Sequence, residues 1–159
     1  MPKHRLVISL LAITLACCTV QAQTERSDPA NQWNLQHLFA ETPDWDAERQ
    51  ALLPEFTTLN QYRGTLGNSS EALHTALRHV SELYQRALKV YVYASLKQDE
   101  DLRDTEAQER NQLAETMFAR FTQETAWIDP EIVGVGASRI KAFVAENPAL
   151  APFSHSLDN

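Results

Sequence analysis

Leu73, Leu77, Val80, Tyr84, Leu88 and Tyr91 recur at steps of three or four residues through a stretch that runs to about Lys97, and this spacing constrains the fold more than any other feature. Such steps place side chains on one side of a helix, whereas a strand would alternate every two residues. Ser69 or Ser70 supplies the capping hydroxyl at its start. The stripe reads as a face buried against other helices rather than as a ligand pocket, because helices in bundles bury such stripes against one another. Asp99-Glu100-Asp101 puts acids at the negative end of the helix dipole, so a turn is expected there.

The rest of the chain follows the same pattern. Only 4 Gly and 7 Pro interrupt 159 residues, and long stretches rich in Ala, Leu, Glu, Gln and Arg favour helix, so the expected fold class is all-α, a helical bundle of one domain. Trp33-Asn34-Leu35 with Leu38-Phe39 is too brief for an independent helix and reads as a segment docking on the body. Thr42-Pro43-Asp44 announces an earlier helix with a capping hydroxyl, a proline that costs nothing in the first turn and an acid at the positive dipole end. Trp45, Leu52, Phe56 and Leu59 recur along it, Pro54 predicts a kink or a split, and Gly64 supplies a left-handed stop. A capping box at Thr105-Glu106-Ala107-Gln108 opens a third helix, which runs to about Trp127 and buries Leu113, Met117, Phe118 and Phe121. Asp129-Pro130-Glu131 begins a short helix that Gly134 and Gly136 interrupt, and Ser138 to Glu146 forms another, ended by Asn147-Pro148.

At the amino terminus, Lys3, His4 and Arg5 precede an apolar stretch from Leu6 to Ala16, too short for a bilayer that needs about 20 residues. These are the proportions of a secretory signal peptide, 1–22, with Val20-Gln21-Ala22 as the cleavage site and Gln23 as the new first residue. Leu15-Ala16-Cys17 offers an alternative, a lipid anchor on Cys17, although Thr14 stands where leucine is usual. A membrane partner is expected only if Cys17 is lipidated. With Cys17 and Cys18 removed the chain holds no cysteine, so its core alone must stabilise it. Fourteen basic against 21 acidic residues give a net charge of −7, and the scattered cations form no footprint for nucleic acid. The remaining organisation reads as an arm and docking segment over 23–40, a helical domain over 41–149 and the start of a further helix over 150–159, where Leu157 has no evident partner.

Residue types point to no reaction centre. His74 and His79 lie about 140° apart around one helix axis at 100° per residue, so they do not share a metal without help from elsewhere. His37 and His155 have no neighbouring histidine. Gly134-Val135-Gly136-Ala137-Ser138-Arg139 begins like a phosphate loop but lacks the third glycine, the lysine and a preceding strand. Asp44/Asp46 and Asp99/Asp101 read as solvated helix ends rather than calcium ligands. No catalytic, cofactor-binding or metal-binding residue is assigned.

Several segments in order carry a family resemblance: Trp33-Asn34-Leu35-Gln36-His37-Leu38-Phe39, Gln61-Tyr62-Arg63-Gly64-Thr65-Leu66, Tyr91-Val92-Tyr93-Ala94-Ser95-Leu96 and Ala149-Leu150-Ala151-Pro152-Phe153. Together they resemble the amino-terminal region of oligoendopeptidase F, a zinc metallopeptidase family related to thimet oligopeptidase. The resemblance implies a larger helical enzyme that cuts oligopeptides inside a channel, with zinc held by a His-Glu-x-x-His helix and a further Glu. None of those positions falls in the matched segments, so zinc is expected in the full-length enzyme and none on this chain. The implied job of these helices is architectural, walling the channel against a catalytic lobe in an exported, periplasmic peptidase. The alternative is a free-standing helical module that binds peptides or a protein without cleaving them.

Overall fold

The computed structural model describes residues 34–157. The expected signal peptide with Cys17 and Cys18, and the expected arm from Gln23 through Trp33, lie outside the described residues, as do Asp158 and Asn159. Six α-helices follow in order: α1 (Thr42–Thr58), α2 (Ser70–Glu100), α3 (Thr105–Thr125), α4 (Ile128–Val135), α5 (Ala137–Glu146) and α6 (Ser154–Leu157). A short 3₁₀ helix at Leu35–His37 precedes them, others at Leu59–Tyr62 and Pro148–Phe153 link α1 to α2 and α5 to α6, and no strand occurs among the described residues. The fold is all-α.

Helix starts are set by local chemistry. The Ser69 hydroxyl accepts from the Ala72 N–H at 3.1 Å, which decides between the two candidate serines. For α3 the cap is Asp104, whose carboxylate accepts from the Glu106 and Ala107 N–H groups, and Thr105 is already helical. A carboxylate also complements the positive dipole end, which a threonine hydroxyl does not. Thr42 likewise lies inside α1 rather than capping it, with Pro43 in the first turn. Asp129 sits in the first turn of α4, which opens at Ile128.

Pro54 does not split α1, which continues to Thr58. Pro54 and Gln50 both face solvent, so water can hydrate the carbonyl that proline deprives of its partner. Beyond it the Thr57 and Thr58 hydroxyls each donate to a carbonyl one turn back at 2.7 Å, the chain tightens into 3₁₀ form, and Gly64 turns it at φ +81°.

Two apolar cores share α2. The first joins α1 to α2 and α3 through Trp45, Leu52, Phe56, Leu83, Ala87, Val90, Ala114, Met117 and Phe121. Leu35 and Phe39 of the leading segment dock on it, Phe39 meeting Tyr93 edge to face at 5.4 Å between ring centres. The second gathers Leu66, Leu73, Leu77, Ile128, Ile140, Phe143 and Leu150. Leu157 belongs to this second core and is buried, because the Pro148–Phe153 turn folds α6 back onto it, contrary to the expectation that it lacked partners. Tyr62 and Val80 pack against both cores.

The expected stripe on α2 holds only in its first turns. Leu73 and Leu77 are buried, but farther along Leu83, Ala87, Val90 and Ala94 take the core, leaving Tyr84 42% and Leu88 36% exposed and Tyr91 half-buried. On α3, Leu113 is 38% exposed and Phe118 half-buried, while Ala114, Met117 and Phe121 are inside. Alanines at the contact let helix axes approach closely, so the tertiary seam runs along small residues that an apolar-periodicity count passes over.

Candidate functional site

The displaced stripe leaves an aromatic flank on α2 and α3 partly open to solvent. Tyr84, Leu88 and Tyr91 stand at i, i+4 and i+7 on α2, so they share one flank of the helix. Phe118 faces them from α3, its ring centre 5.9 Å from Tyr84 and 5.5 Å from Tyr91. Phe121 lies 6.0 Å from Phe118, 5.9 Å from Tyr84 and 5.3 Å from Phe56 of α1, so one chain of rings runs from the first core to solvent. Edge-to-face and tilted contacts at these distances suit the ring quadrupoles. This flank can bury apolar side chains, and the polar groups of its ring cluster are the Tyr84 and Tyr91 hydroxyls.

Charged groups concentrate on another side of α2. The Arg86 guanidinium donates to Glu48 at 2.7 Å and to both oxygens of Glu55 at 2.5 and 3.0 Å, clasping α1 to α2. The hydrogen bond from Arg86 holds the Glu55 carboxyl below the usual glutamate range, with a smaller contribution from the His79 charge, and desolvation opposing. In return Glu55, then Glu48, raise Arg86 still further. A cleft of about 500 Å³ beside the clasp is lined by Phe39, Asp44, Glu48, Arg86 and Lys89, the Lys89 ammonium lying 4.7 Å from the Phe39 ring centre. A second, of about 680 Å³, separates the start of α1 from α3 and includes Asp46, Arg49, Glu106, Arg110 and Leu113. Arg49 there is paired with Asp46 at 2.7 Å.

The histidines do not converge. His79 Nδ1 is 3.1 Å from the Tyr62 hydroxyl, and His74 meets the Phe153 ring edge to face at 6.4 Å. His37 ends the 3₁₀ helix Leu35–His37 and His155 lies on α6, both exposed. Among the described residues no group of three or more His, Cys, Asp or Glu side chains is placed to hold a metal ion. Gly136, at φ +89°, forms the corner between α4 and α5, while Gly134 lies within α4, so this run is a helix end and its bend rather than a phosphate loop. Asp46 is bonded to Arg49 and Gln50, and Asp101 to Arg103, within their own turns. The Arg103 side chain, followed by its backbone N–H, lowers the Asp101 carboxyl.

Glu131 has a role that residue patterns did not reveal. Its carboxylate accepts from the Gly64 N–H at 2.8 Å and the Leu66 N–H at 2.9 Å, tying α4 to the loop before α2. These partners lie more than sixty positions away in the chain, so no local motif marks them. As a first-turn acid of α4, Glu131 also complements the positive end of the helix dipole.

No family model matches the chain. It is similar to oligopeptidase PepF of Bacillus subtilis (strain 168), 27% identical over 126 residues, covering 79% of this chain and 19% of that protein. It is also similar to the group B oligopeptidase PepB of Streptococcus agalactiae serotype III (strain NEM316), 31% identical over 124 residues, covering 78% of this chain and 21% of the relative. The fold superposes on the crystal structure of oligoendopeptidase-F from Enterococcus faecium with a TM-score of 0.68 and 25% identity, covering 74% of this chain and 23% of that one. A solved chain from Chlamydophila abortus shares the fold at the same score and 24% identity, covering 84% of this chain and 22% of that one. The chain therefore spans about one fifth of the length of the curated relatives it matches.

Proposed function

We propose, from the relation of this chain to oligoendopeptidase F in both sequence and fold, that it forms the non-catalytic, channel-wall region of an exported zinc oligoendopeptidase acting on oligopeptides. The observation that carries this reading is the agreement of two likenesses, 31% identity to an oligopeptidase over 78% of this chain and a TM-score of 0.68 to an oligoendopeptidase over 74% of it. The described residues hold no group of three or more His, Cys, Asp or Glu placed for a metal ion, so no step of hydrolysis is derived from them; on this reading the rest of the enzyme supplies the zinc and the water it activates. Its own residues supply rigid helices, two packed cores and the clasps between them. Export to the periplasm is supported by the basic start at Lys3 to Arg5 and the short apolar run that follows.

The test has two arms. The coding frame read beyond Asn159 is expected to encode a His-Glu-x-x-His segment, and the complete product to cleave a quenched fluorescent oligopeptide in a chelator-sensitive way. The 159-residue chain alone is expected to leave the same peptide uncut with added zinc. Turnover by that chain, or a stop codon directly after Asn159, overturns the reading, and the stop codon points instead to a free-standing binding module. Mass spectrometry of the mature protein separates a lipidated Cys17 from a free Gln23.

A further inference from the structure

We infer that the cleft between the start of α1 and α3 binds a short zwitterionic peptide, whose carboxylate pairs with the Arg110 guanidinium and whose amino group faces Glu106 and Glu109. The inference goes beyond the peptidase reading and does not depend on it, because the charges and size of the cleft carry it. Among the described residues, Arg110 is the one arginine with neither a hydrogen bond, an ion pair nor an aromatic ring as partner. Arg49, Arg78, Arg86, Arg103 and Arg120 pair with acids, and Arg63 and Arg139 lie over the Trp127 and Phe143 rings.

Arg110 does not take the acid nearest along its own helix. Glu106 precedes it by four residues, the favoured order and spacing for a helical ion pair, and Arg78–Glu82 and Arg120–Glu124 do pair across four residues at 2.7 and 2.6 Å. Arg110 instead follows buried Ala107 by three residues and precedes buried Ala114 by four, so its stem leaves the inward side of α3 and the half-buried side chain lines the cleft. Partial burial weakens screening by water, so a carboxylate there is held more strongly than on the open surface. Arg49 in the same cleft is already committed, bonded to Asp46 at 2.7 Å and stacked 5.8 Å from the Trp45 ring centre. That leaves Arg110 as the free cation, and Glu106 and Glu109, whose carboxylates have no partner among the described residues, as the free anions. Pro43 and Leu113 add apolar lining, and a volume of about 680 Å³ falls within the range of about 300–1,000 Å³ usual for small-ligand clefts. Both signs of charge beside apolar lining match a peptide with charged termini and an apolar side chain. A simple anion matches less well, because the two glutamates repel it.

Calorimetric titration of the 159-residue chain with leucyl-leucine, its C-terminal amide and its N-acetyl form tests the inference. Leucyl-leucine is expected to bind, the amide about tenfold more weakly because one charge-assisted pairing is lost, and the acetylated form also more weakly. Arg110→Gln, in a protein whose helical circular dichroism is unchanged, is expected to abolish the preference for acid over amide. Arg110→Lys is expected to keep part of it, since lysine retains the charge but not the planar fork. Arg103→Gln, in the exposed turn between α2 and α3, is expected to change nothing. Equal affinity for acid and amide, an unaltered preference in Arg110→Gln, or no binding of leucyl-leucine overturns the inference. Acetate binding as tightly as the dipeptide also overturns it, because a bare anion site needs no zwitterion. The same titration of the complete gene product, with chelator present so that no peptide is cut, is expected to give the same preference. Loss of binding there assigns Arg110 to a carboxylate of the remaining chain and overturns the inference too. Peptidase activity enters none of these readouts, so their failure leaves the peptidase reading standing.

Discussion

The indole N–H of Trp45 donates to the backbone carbonyl of Val90 at 2.8 Å inside the first core. Trp45 is 2% exposed, and this bond fixes where along α2 the start of α1 rests. It turns an apolar contact, which many registers satisfy, into one that a single register satisfies best.

Replacing Trp45 with Phe keeps an aromatic ring and removes the donor. A loss of about 1–3 kcal/mol is expected, combining one buried hydrogen bond with the lost ring volume. Urea unfolding of the two proteins measures it, and an unchanged midpoint would show that the bond does not discriminate between registers.

Glu131→Gln tests the tie between α4 and the Gly64–Leu66 loop. The amide keeps one acceptor and turns a donor toward a backbone N–H, so about 1–2 kcal/mol should be lost, in the range of hydrogen bonds to charged groups. Hydrogen exchange at the Leu66 amide is expected to accelerate more than at Leu73, which stays within its helix.

Acid should weaken the clasp of α1 on α2. Glu55 titrates below its unfolded value, so its stabilising contribution is present above the unfolded value and is lost as pH falls through the folded one. Both Arg86 and Glu55 are more than a third exposed, which limits the effect to under about 1 kcal/mol and makes it sensitive to salt. Denaturant titrations of wild type and Glu55→Gln at low ionic strength are expected to converge as pH is lowered. A constant gap at every pH would contradict the pairing.

Gly64→Ala and Gly136→Ala isolate backbone strain. Both positions have positive φ, and a Cβ at either meets nothing within 4 Å, so no clash contributes. Gly64→Ala is expected to cost about 1–2 kcal/mol, the penalty for an L-residue at positive φ, and Gly136→Ala about 1–3 kcal/mol, because its ψ of 140° puts it in a region nearly exclusive to glycine. Gly67→Ala differs in kind, because its Cβ would come within 3.0 Å of the Val135 side chain, so its cost should shrink when paired with Val135→Ala.

Much of the secondary structure was legible because helix ends are local chemistry. Ser69, Gly64 and the Asn147-Pro148 break act through neighbours a few residues away, and the all-α class follows from the spacing of Leu73, Leu77 and Val80. Where the reading missed, the competing partner was also close at hand. Asp104 displaced Thr105 as a cap, and solvent exposure let α1 pass through Pro54.

The candidate surface was visible as residues but not as a surface. Tyr84, Leu88 and Tyr91 were marked as apolar and periodic, yet their exposure could not be read from α2 alone. A helix with two adjacent apolar stripes has two faces that suit a core. The sequence by itself therefore determined that these segments are helices, where most of them begin and end, and that no familiar metal or nucleophile motif lies among them. Tertiary structure alone decided which stripe is buried, because that depends on Trp45 reaching Val90 and on Ala87, Ala94 and Ala114 admitting close approach. It also brought Glu131 to Gly64 and Leu66, and Leu157 into the second core. Such pairings are fixed by the packing of elements distant in the chain, and periodicity along one helix carries no information about them.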